Sequence, residues 1–362
     1  MKKILIFASY FYPHKGGAEK YIYELYRRLI KDKNFEVDIF TNNTENVSEF
    51  EKIEGLNVYR VPCYHILGKT YPVPKPLASF KLLRKLKKNK YGFVNTQTRF
   101  WISSFYGYLF SKFTNTKLIH TEHGTRHTEF DNPIIKKLAE IYDHVFGTLI
   151  IKSAWKNIGI SKASCEFSKH LGAQLTYLIL NGVDTSVFKK KKTDLKRRLG
   201  IHKDYKIITY VGRLIYAKGV QDLISIFPSI KEKYPKSKLL IVGDGDYKNE
   251  LEKLKNGDED IIFLGQRDDV VDILNITDVF VNPSYSEGMP TTILEASSVG
   301  ISIVATNVGG TKEIIDSTYQ VSPGKIEDLL QKILKSLYEK TDNSNLVFDI
   351  KDSSLALLEI FK

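Results

Sequence analysis

Short apolar runs separated by helix-period patterns recur along almost the whole chain, and this alternation constrains the fold more than any other feature. Runs of this kind mark strands buried on both faces, joined by crossover helices that cover a parallel sheet. In the first half the strand candidates are Lys3–Ser9, Glu36–Thr41, Asn57–Val61, Gly92–Asn95, Lys117–Thr121 and Asn157–Ile160, with helical patterns at Ala18–Lys31, Pro76–Lys88 and Pro133–Val145. A second series has strands at Ile207–Val211, Lys238–Val242, Ile261–Leu264, Val279–Asn282 and Ile301–Ala305. Its helices fall at Val220–Lys233, Tyr247–Leu254, Val270–Ile276, Thr291–Val299 and Ile326–Tyr338. Between the two series lie a turn, Asn181-Gly-Val-Asp184, and a basic stretch from Lys189 to Arg198 without apolar periodicity, which reads as a linker. The expectation is an α/β chain of two Rossmann-like, doubly wound parallel-sheet domains facing a central cleft. Residues 1–183 and 184–345 form the domains, and 346–362 a C-terminal helix available to dock back on the first. In such folds the ligand sits outside the carboxyl ends of the strands.

Composition narrows the partner. A net charge of +12 calls for something anionic: a nucleotide sugar, an anionic membrane surface or nucleic acid. No zinc-finger, RNP or helix-turn-helix pattern supports nucleic acid. The two cysteines, Cys63 and Cys165, lack metal-ligand spacing and suggest a reducing cytoplasm. The apolar run Ile4–Ala8 is too short for a signal peptide and reads as a buried strand. No run approaches the roughly 18 apolar residues of a membrane span. The expected location is the cytoplasm, with peripheral contact at the inner membrane face as an option.

The stretch most informative about chemistry runs from Asn282 to Glu295, Asn-Pro-Ser-Tyr-Ser-Glu-Gly-Met-Pro-Thr-Thr-Ile-Leu-Glu. A strand ends at Asn282, Gly288 permits close backbone approach, and Pro290 suits the first position of a helix whose free amides form a phosphate site. Glu287 lies before this helix and Glu295 inside it. That placement suits two hydroxyl clamps on one extended ligand better than an acid–base pair. A nucleotide sugar offers hydroxyls on its ribose and its hexose, with a diphosphate between them. The competing interpretation is a capped turn with solvent-facing glutamates.

Glu287-Gly-Met-Pro-Thr-Thr-Ile-Leu-Glu295 closely resembles the E-x7-E motif of the retaining glycosyltransferases of family 4, which have the GT-B fold. Gly16-Gly17-Ala18-Glu19 resembles their glycine-rich loop, Glu122-His123-Gly124 their His-Gly motif, Asn181-Gly-Val-Asp184 their interdomain turn, and Val211-Gly-Arg-Leu-Ile-Tyr-Ala-Lys-Gly219 their phosphate-clamping segment. These segments occur in the family's order. The resemblance implies that Glu295 binds the ribose, Glu287 holds a hydroxyl of the donor sugar, Arg213 and Lys218 bind the diphosphate, and His123 lies near the reacting centre. Gly16 and Gly17, Gly243, Arg267, Gly288, Met289, Pro290 and Thr291 complete the donor-binding set, Gln266-Arg267 as a base-contacting segment. It further implies a UDP- or GDP-linked donor as co-substrate, a lipid-linked or polysaccharide acceptor, surface polysaccharide or glycolipid biosynthesis, and no required metal. Fixed cations and helix amides would stabilise the diphosphate as it leaves.

Several features stand beside this assignment. Asp244-Gly-Asp246 matches the D-x-D of metal-dependent transferases, but its place before a helix makes Asp246 an N-cap candidate. His120 reads as a packing residue, and His127 competes with His123. Lys81 to Lys90 forms a basic helix whose Leu82, Leu83 and Leu86 face either an anionic leaflet or the core. Tyr10, Phe11, Tyr12, Arg99, Phe100, Trp101 and Arg126 are acceptor-site candidates. Two other activities compete: a nucleotide-sugar epimerase of the same fold, and a basic nucleic-acid-binding protein.

Overall fold

The computed structural model describes residues 2–14, 16–31, 34–66, 71–128, 132–339 and 348–362. The chain divides into two compact units, one of Met1–Asn181 with Ile350–Lys362, the other of Gly182–Asp349.

The N-terminal unit begins β1 (Lys2–Phe7), α1 (Gly17–Lys31), β2 (Phe35–Asn42), β3 (Phe50–Ile53), β4 (Leu56–Val61), β5 (Cys63–Ile66), β6 (Tyr71–Pro74) and α2 (Pro76–Leu86). It continues β7 (Phe93–Gln97), α3 (Ile102–Thr114), β8 (Lys117–Glu122), α4 (Pro133–Tyr142), a π-helical turn (Asp143–Gly147), α5 (Thr148–Ser153), β9 (Lys156–Gly159), α6 (Lys162–His170) and β10 (Thr176–Leu178). The main sheet has the order β10-β9-β8-β7-β1-β2-β4-β3, parallel except for the β3–β4 pair. Strand β1 runs through its centre, with Ile4, Leu5, Ile6 and Phe7 wholly buried, as expected of a strand covered on both faces.

The second unit contains α7 (Leu195–Arg198), β11 (Lys206–Val211), α8 (Val220–Lys233), β12 (Ser237–Val242), α9 (Lys248–Leu254), β13 (Ile261–Gly265) and α10 (Val270–Ile276). It is completed by β14 (Val279–Asn282), α11 (Thr291–Val299), β15 (Ser302–Thr306), β16 (Gln320–Val321) and α12 (Ile326–Tyr338). Its sheet is parallel in the order β13-β12-β11-β14-β15-β16. The last helix, α13 (Ile350–Phe361), belongs to the N-terminal unit, where Phe361 packs edge-on against Tyr26, Phe35 and Phe93.

Two expectations change and one open alternative is decided. The basic stretch Lys189–Arg198 is not a free linker. Its Lys191 side chain pairs with Asp272 at 2.9 Å and its amide donates to Asn275, so charge complementarity fastens it to α10 of the second unit. The leucines of α2 face inward: Leu86 is buried and Leu82 and Leu83 pack on the core. The apolar residues that α2 exposes are Leu77 and Phe80. Asp246 does not cap α9, because Tyr247 is its N-cap and the Tyr247 amide is drawn instead to Leu214 O at 2.9 Å.

Candidate active site

Strand order reverses in the C-terminal unit between β11 and β14: β12 and β13 follow on one side, β15 and β16 on the other. Loops leaving the carboxyl ends of two such strands diverge and open a crevice. Here those loops are Gly212–Gly219 and Pro283–Pro290, the two segments that carry Arg213, Lys218 and Glu287.

The loops are tied together by backbone. The Tyr285 amide donates to Ala217 O at 2.9 Å, and Gly219, at φ +67°, sits so close to Pro283 that a methyl group there would lie 2.1 Å from its carbonyl oxygen. Only glycine combines that dihedral with that approach. The result is a short ion pair: Lys218 Nζ donates to Glu287 Oε1 at 2.6 Å, both side chains mostly buried. Ser284 Oγ donates to the same oxygen at 2.7 Å. Ser284 went unrecognised in the sequence although it stands in the quoted stretch, because a serine after a strand carries no signal of its own. Arg213, by contrast, is exposed and its guanidinium has no ion-pair partner among the described residues. Its backbone is held by Tyr210, whose hydroxyl donates to Arg213 O at 2.9 Å.

On the other side, Gly309 clasps the Glu287–Gly288 turn: the Gly310 amide donates to Gly288 O at 2.7 Å. Met289 is buried under this turn. Pro290 is the N-cap of α11, one residue earlier than expected, since its ψ of 104° is extended and the helix begins at Thr291. Without a capping side chain, the first amides of α11, at Thr291 and Thr292, have no intrahelical acceptor and carry the positive end of the helix dipole. Glu295 lies one turn inside α11 and is buried. Gly243, after β12, abuts Gly212 at the foot of Arg213, and the Leu214 amide donates to Asp244 O at 2.9 Å. Arg267, after β13, is engaged by Asp269 through two bonds of 2.8 and 2.7 Å. The structure thus brings Arg213, Lys218, Gly243, Glu287, Gly288, Met289, Pro290, Thr291 and Glu295 together at one switch point, with Arg267 at the end of β13.

Gly16, Gly17 and His123 belong to the N-terminal unit. Gly17 opens α1, and one turn further along that helix the Tyr21 ring meets His123 edge-on at 5.2 Å. His123 follows β8 and its Nε2 donates to Gln97 Oε1 at 2.7 Å. The Gln97 amide nitrogen donates in turn to Asn95 Oδ1, which also accepts from Tyr26 at 3.0 Å. This chain fixes the ring with its proton on Nε2. Burial lowers the pKa of His123 to about 4; the Glu122 carboxylate opposes that effect and the His120 ring adds to it. His123 is therefore neutral at physiological pH.

Beneath it lies an ionic network that the sequence did not announce. Glu122 pairs with Arg99 at 2.9 Å, accepts from His120 at 3.2 Å and from the Gly124 amide at 2.7 Å. Burial alone would raise the Glu122 carboxyl, but Arg99, His120 and Gly124 outweigh it and hold it ionised well below the usual range. Arg99 also pairs with Asp143 at 2.9 Å. Arg99 is therefore a buried structural cation and not an acceptor-site residue, and Phe11 and Phe100 are likewise buried. Tyr10 and Trp101 remain at the switch point of this sheet, between β1 and β7, meeting edge-on at 5.5 Å. Tyr12 meets Tyr23 with the rings tilted at 56° and 4.9 Å apart, and Arg126 is exposed.

Residues 15–187 match the model of Glycosyltransferase Family 4, and residues 191–347 that of Glycosyl transferases group 1. The chain belongs to glycosyltransferase family 4. It is 29% identical over 360 residues to an uncharacterized glycosyltransferase of Methanocaldococcus jannaschii, covering 95% of this chain and 90% of that one. It is 26% identical to the UDP-Gal:α-D-GlcNAc-diphosphoundecaprenol α-1,3-galactosyltransferase of Escherichia coli, covering 88% and 83%. Among solved structures, Anabaena HepE in complex with UDP and glucose superposes with a TM-score of 0.79 at 21% identity over 99% of both chains. This family 4 glycosyltransferase has the two α/β domains with parallel sheets of the GT-B fold.

Proposed function

We propose that this glycosyltransferase moves a hexose from a uridine diphosphate sugar to a hydroxyl of a lipid-linked acceptor, with retention at the anomeric carbon. The observation that carries the reading is the convergence of Lys218, the exposed Arg213 and the open amides of α11 around the turn that holds Glu287. Cleavage of the anomeric bond leaves an oxocarbenium-like sugar and a diphosphate gaining negative charge. Arg213, Lys218 and the helix amides meet that charge as it develops, where prearranged dipoles have most effect. No metal is needed in this scheme. Glu287 accepts a hydroxyl of the donor sugar and Glu295 the ribose. His123, neutral, accompanies the positive sugar without repelling it.

The uridine donor is supported by the UDP-Gal named for the Escherichia coli relative and by the UDP held by Anabaena HepE. A lipid-linked acceptor is supported by the same relative and by the surface of the N-terminal unit. Helix α4 exposes Ile134, Leu138 and Ile141 beside Lys136 and Lys137, and α2 exposes Leu77 and Phe80 beside Lys81, Arg84 and Lys85. Apolar ridges flanked by lysines suit an anionic leaflet at the cytoplasmic face. No helix among the described residues is long and apolar enough to cross a membrane.

The test is transfer from a panel of UDP- and GDP-sugars to diphosphoundecaprenol-linked saccharides, with the anomeric configuration of the product read by NMR. Transfer from a UDP-sugar that falls at least tenfold in Glu295→Ala is expected. The reading fails if no donor binds with micromolar to millimolar affinity, roughly −8 to −4 kcal/mol, or if Glu295→Ala is as active as the parent. A product formed from the donor alone, without acceptor, would mark an epimerase instead.

A further inference from the structure

Three histidines that the transferase reading does not use converge in the N-terminal unit. His127 lies in the loop after β8, His144 in the π-helical turn between α4 and α5, and His170 at the end of α6. Their ring centroids are 4.9 Å apart for His127 and His144, and 5.9 Å for each of the other two pairs. One nitrogen from each ring lies within 4.8 Å of the other two. Three imidazoles from three separate segments seldom gather without cause, since protonated rings repel one another and neutral ones gain little from mutual contact.

A second observation points to what they hold. Asp143 Oδ2 accepts from His127 Nδ1 at 2.9 Å. That bond assigns the proton to Nδ1 and leaves Nε2 as the lone-pair nitrogen. Asp143 is wholly buried and is itself pinned by Arg99 at 2.9 Å, so the His127 ring has a fixed orientation. A carboxylate behind a histidine, setting its tautomer and raising its basicity, is the outer-shell arrangement of metal-binding histidines. Phe167 packs edge-on to His127 at 5.1 Å and stacks along His170 at 5.9 Å, holding these two rings from the side. His127 is half-buried while His144 and His170 are exposed, which gives an ion a path in.

We infer that His127, His144 and His170 form a binding site for a divalent transition-metal ion. Three neutral nitrogens without a carboxylate in the first coordination sphere favour Zn²⁺, Co²⁺, Ni²⁺ or Cu²⁺ over Mg²⁺, Ca²⁺ or Mn²⁺, and a tetrahedral ion keeps its fourth position for water. The ion fastens the loop after β8 to the α4–α5 segment and to α6. Because Arg99 bridges Asp143 and Glu122, the site also steadies the base of the Glu122-His123-Gly124 turn. The inference is independent of the donor and acceptor assigned above.

The test uses the full chain without an affinity tag, stripped with a chelator, and titrated with Zn²⁺ by calorimetry and with Co²⁺ by its visible absorption. One equivalent of each ion is expected to bind, with Co²⁺ giving the intense bands of a tetrahedral site. His144→Ala and His170→Ala change exposed residues, so both variants should keep the parent's circular dichroism and lose about a hundredfold or more in affinity. Asp143→Asn should lose about 10–100-fold. Binding that survives in the His144→Ala/His170→Ala double variant, or equal competition by Mg²⁺, would overturn the assignment. So would the absence of a stoichiometric site in the folded parent.

Discussion

Lys218 and Glu287, 69 residues apart in the chain, meet at 2.6 Å across the switch point of the C-terminal sheet. The pair serves two purposes at once. It ties the loops after β11 and β14 together before any ligand arrives, and it holds a cation at the turn that precedes α11. On the proposed function, an entering diphosphate would share Lys218 with the carboxylate, and the prearranged cation would stabilise the leaving group.

Replacing Lys218 by Ala should therefore weaken transition-state binding more than it harms the fold, since Glu287 keeps its bond from Ser284. A charge-assisted bond is worth about 1.5–3 kcal/mol, which corresponds to a loss of roughly ten- to a hundredfold in kcat/KM. Steady-state kinetics with saturating acceptor checks this, and a change under twofold would remove Lys218 from the leaving-group site.

Gly309→Ala should damage the same site from behind. The position has φ +54°, and an added methyl would lie 2.0 Å from Glu287 O. Backbone strain of this kind costs on the order of 1–3 kcal/mol, and here relief requires moving the turn that carries Glu287. Weaker UDP binding by calorimetry together with a lower urea midpoint is expected. Unaltered affinity would show that the turn does not depend on the clasp.

The His123 ring should make the protein labile to acid. Its folded pKa is about 4 against an ordinary value of 6.5, so between those pH values the unfolded chain binds more protons and stability rises with pH. The contribution is complete above pH 6.5 and is lost as pH falls through 4. Urea midpoints measured from pH 7 to 4 should fall more steeply for the parent than for His123→Asn. The kcat/KM profile should also lack a His123 limb near pH 6.5; equal slopes, or such a limb, would show that the ring titrates normally.

Glu122→Gln removes one charge from a buried network and strands part of Arg99. Breaking a buried pair by one partner typically costs about 3–5 kcal/mol, because the remaining charge lies out of water. The variant should melt well below the parent in calorimetry. If it melts within a degree or two, the network is replaceable by neutral hydrogen bonds.

The division between what was legible in the sequence and what was not follows from the range of the forces involved. Helices α10, α11 and α12 begin and end where their periodicity says, because a stripe of apolar residues at helical spacing is a local pattern. Most strands of both sheets were visible for the same reason, as apolar runs between turn residues; the short edge strands β10 and β16 were not, because three and two residues make no apolar run. Helix α3 was not: Ile102–Thr114 carries aromatic residues on several faces together with Gly107 and three serines, and its helicity comes from packing on β1 and β7 rather than from propensity. The edge strand β3 was missed because its exposed Phe50, Glu51 and Lys52 show no buried face.

The candidate donor-site residues stood out in the sequence because the loops that carry them have motif chemistry of their own: glycines for close approach, a proline before a helix, two glutamates. Sequence alone determined which groups are present and that the fold is two parallel α/β sheets. The tertiary structure decided their partners. It gave Lys218 to Glu287, buried Arg99 between Glu122 and Asp143, engaged Arg267 with Asp269 and gathered His127, His144 and His170. Except for Arg267 and Asp269, which are neighbours in one loop, these pairings join residues distant along the chain, and their strength depends on separation and burial in space, which no local pattern of residues encodes.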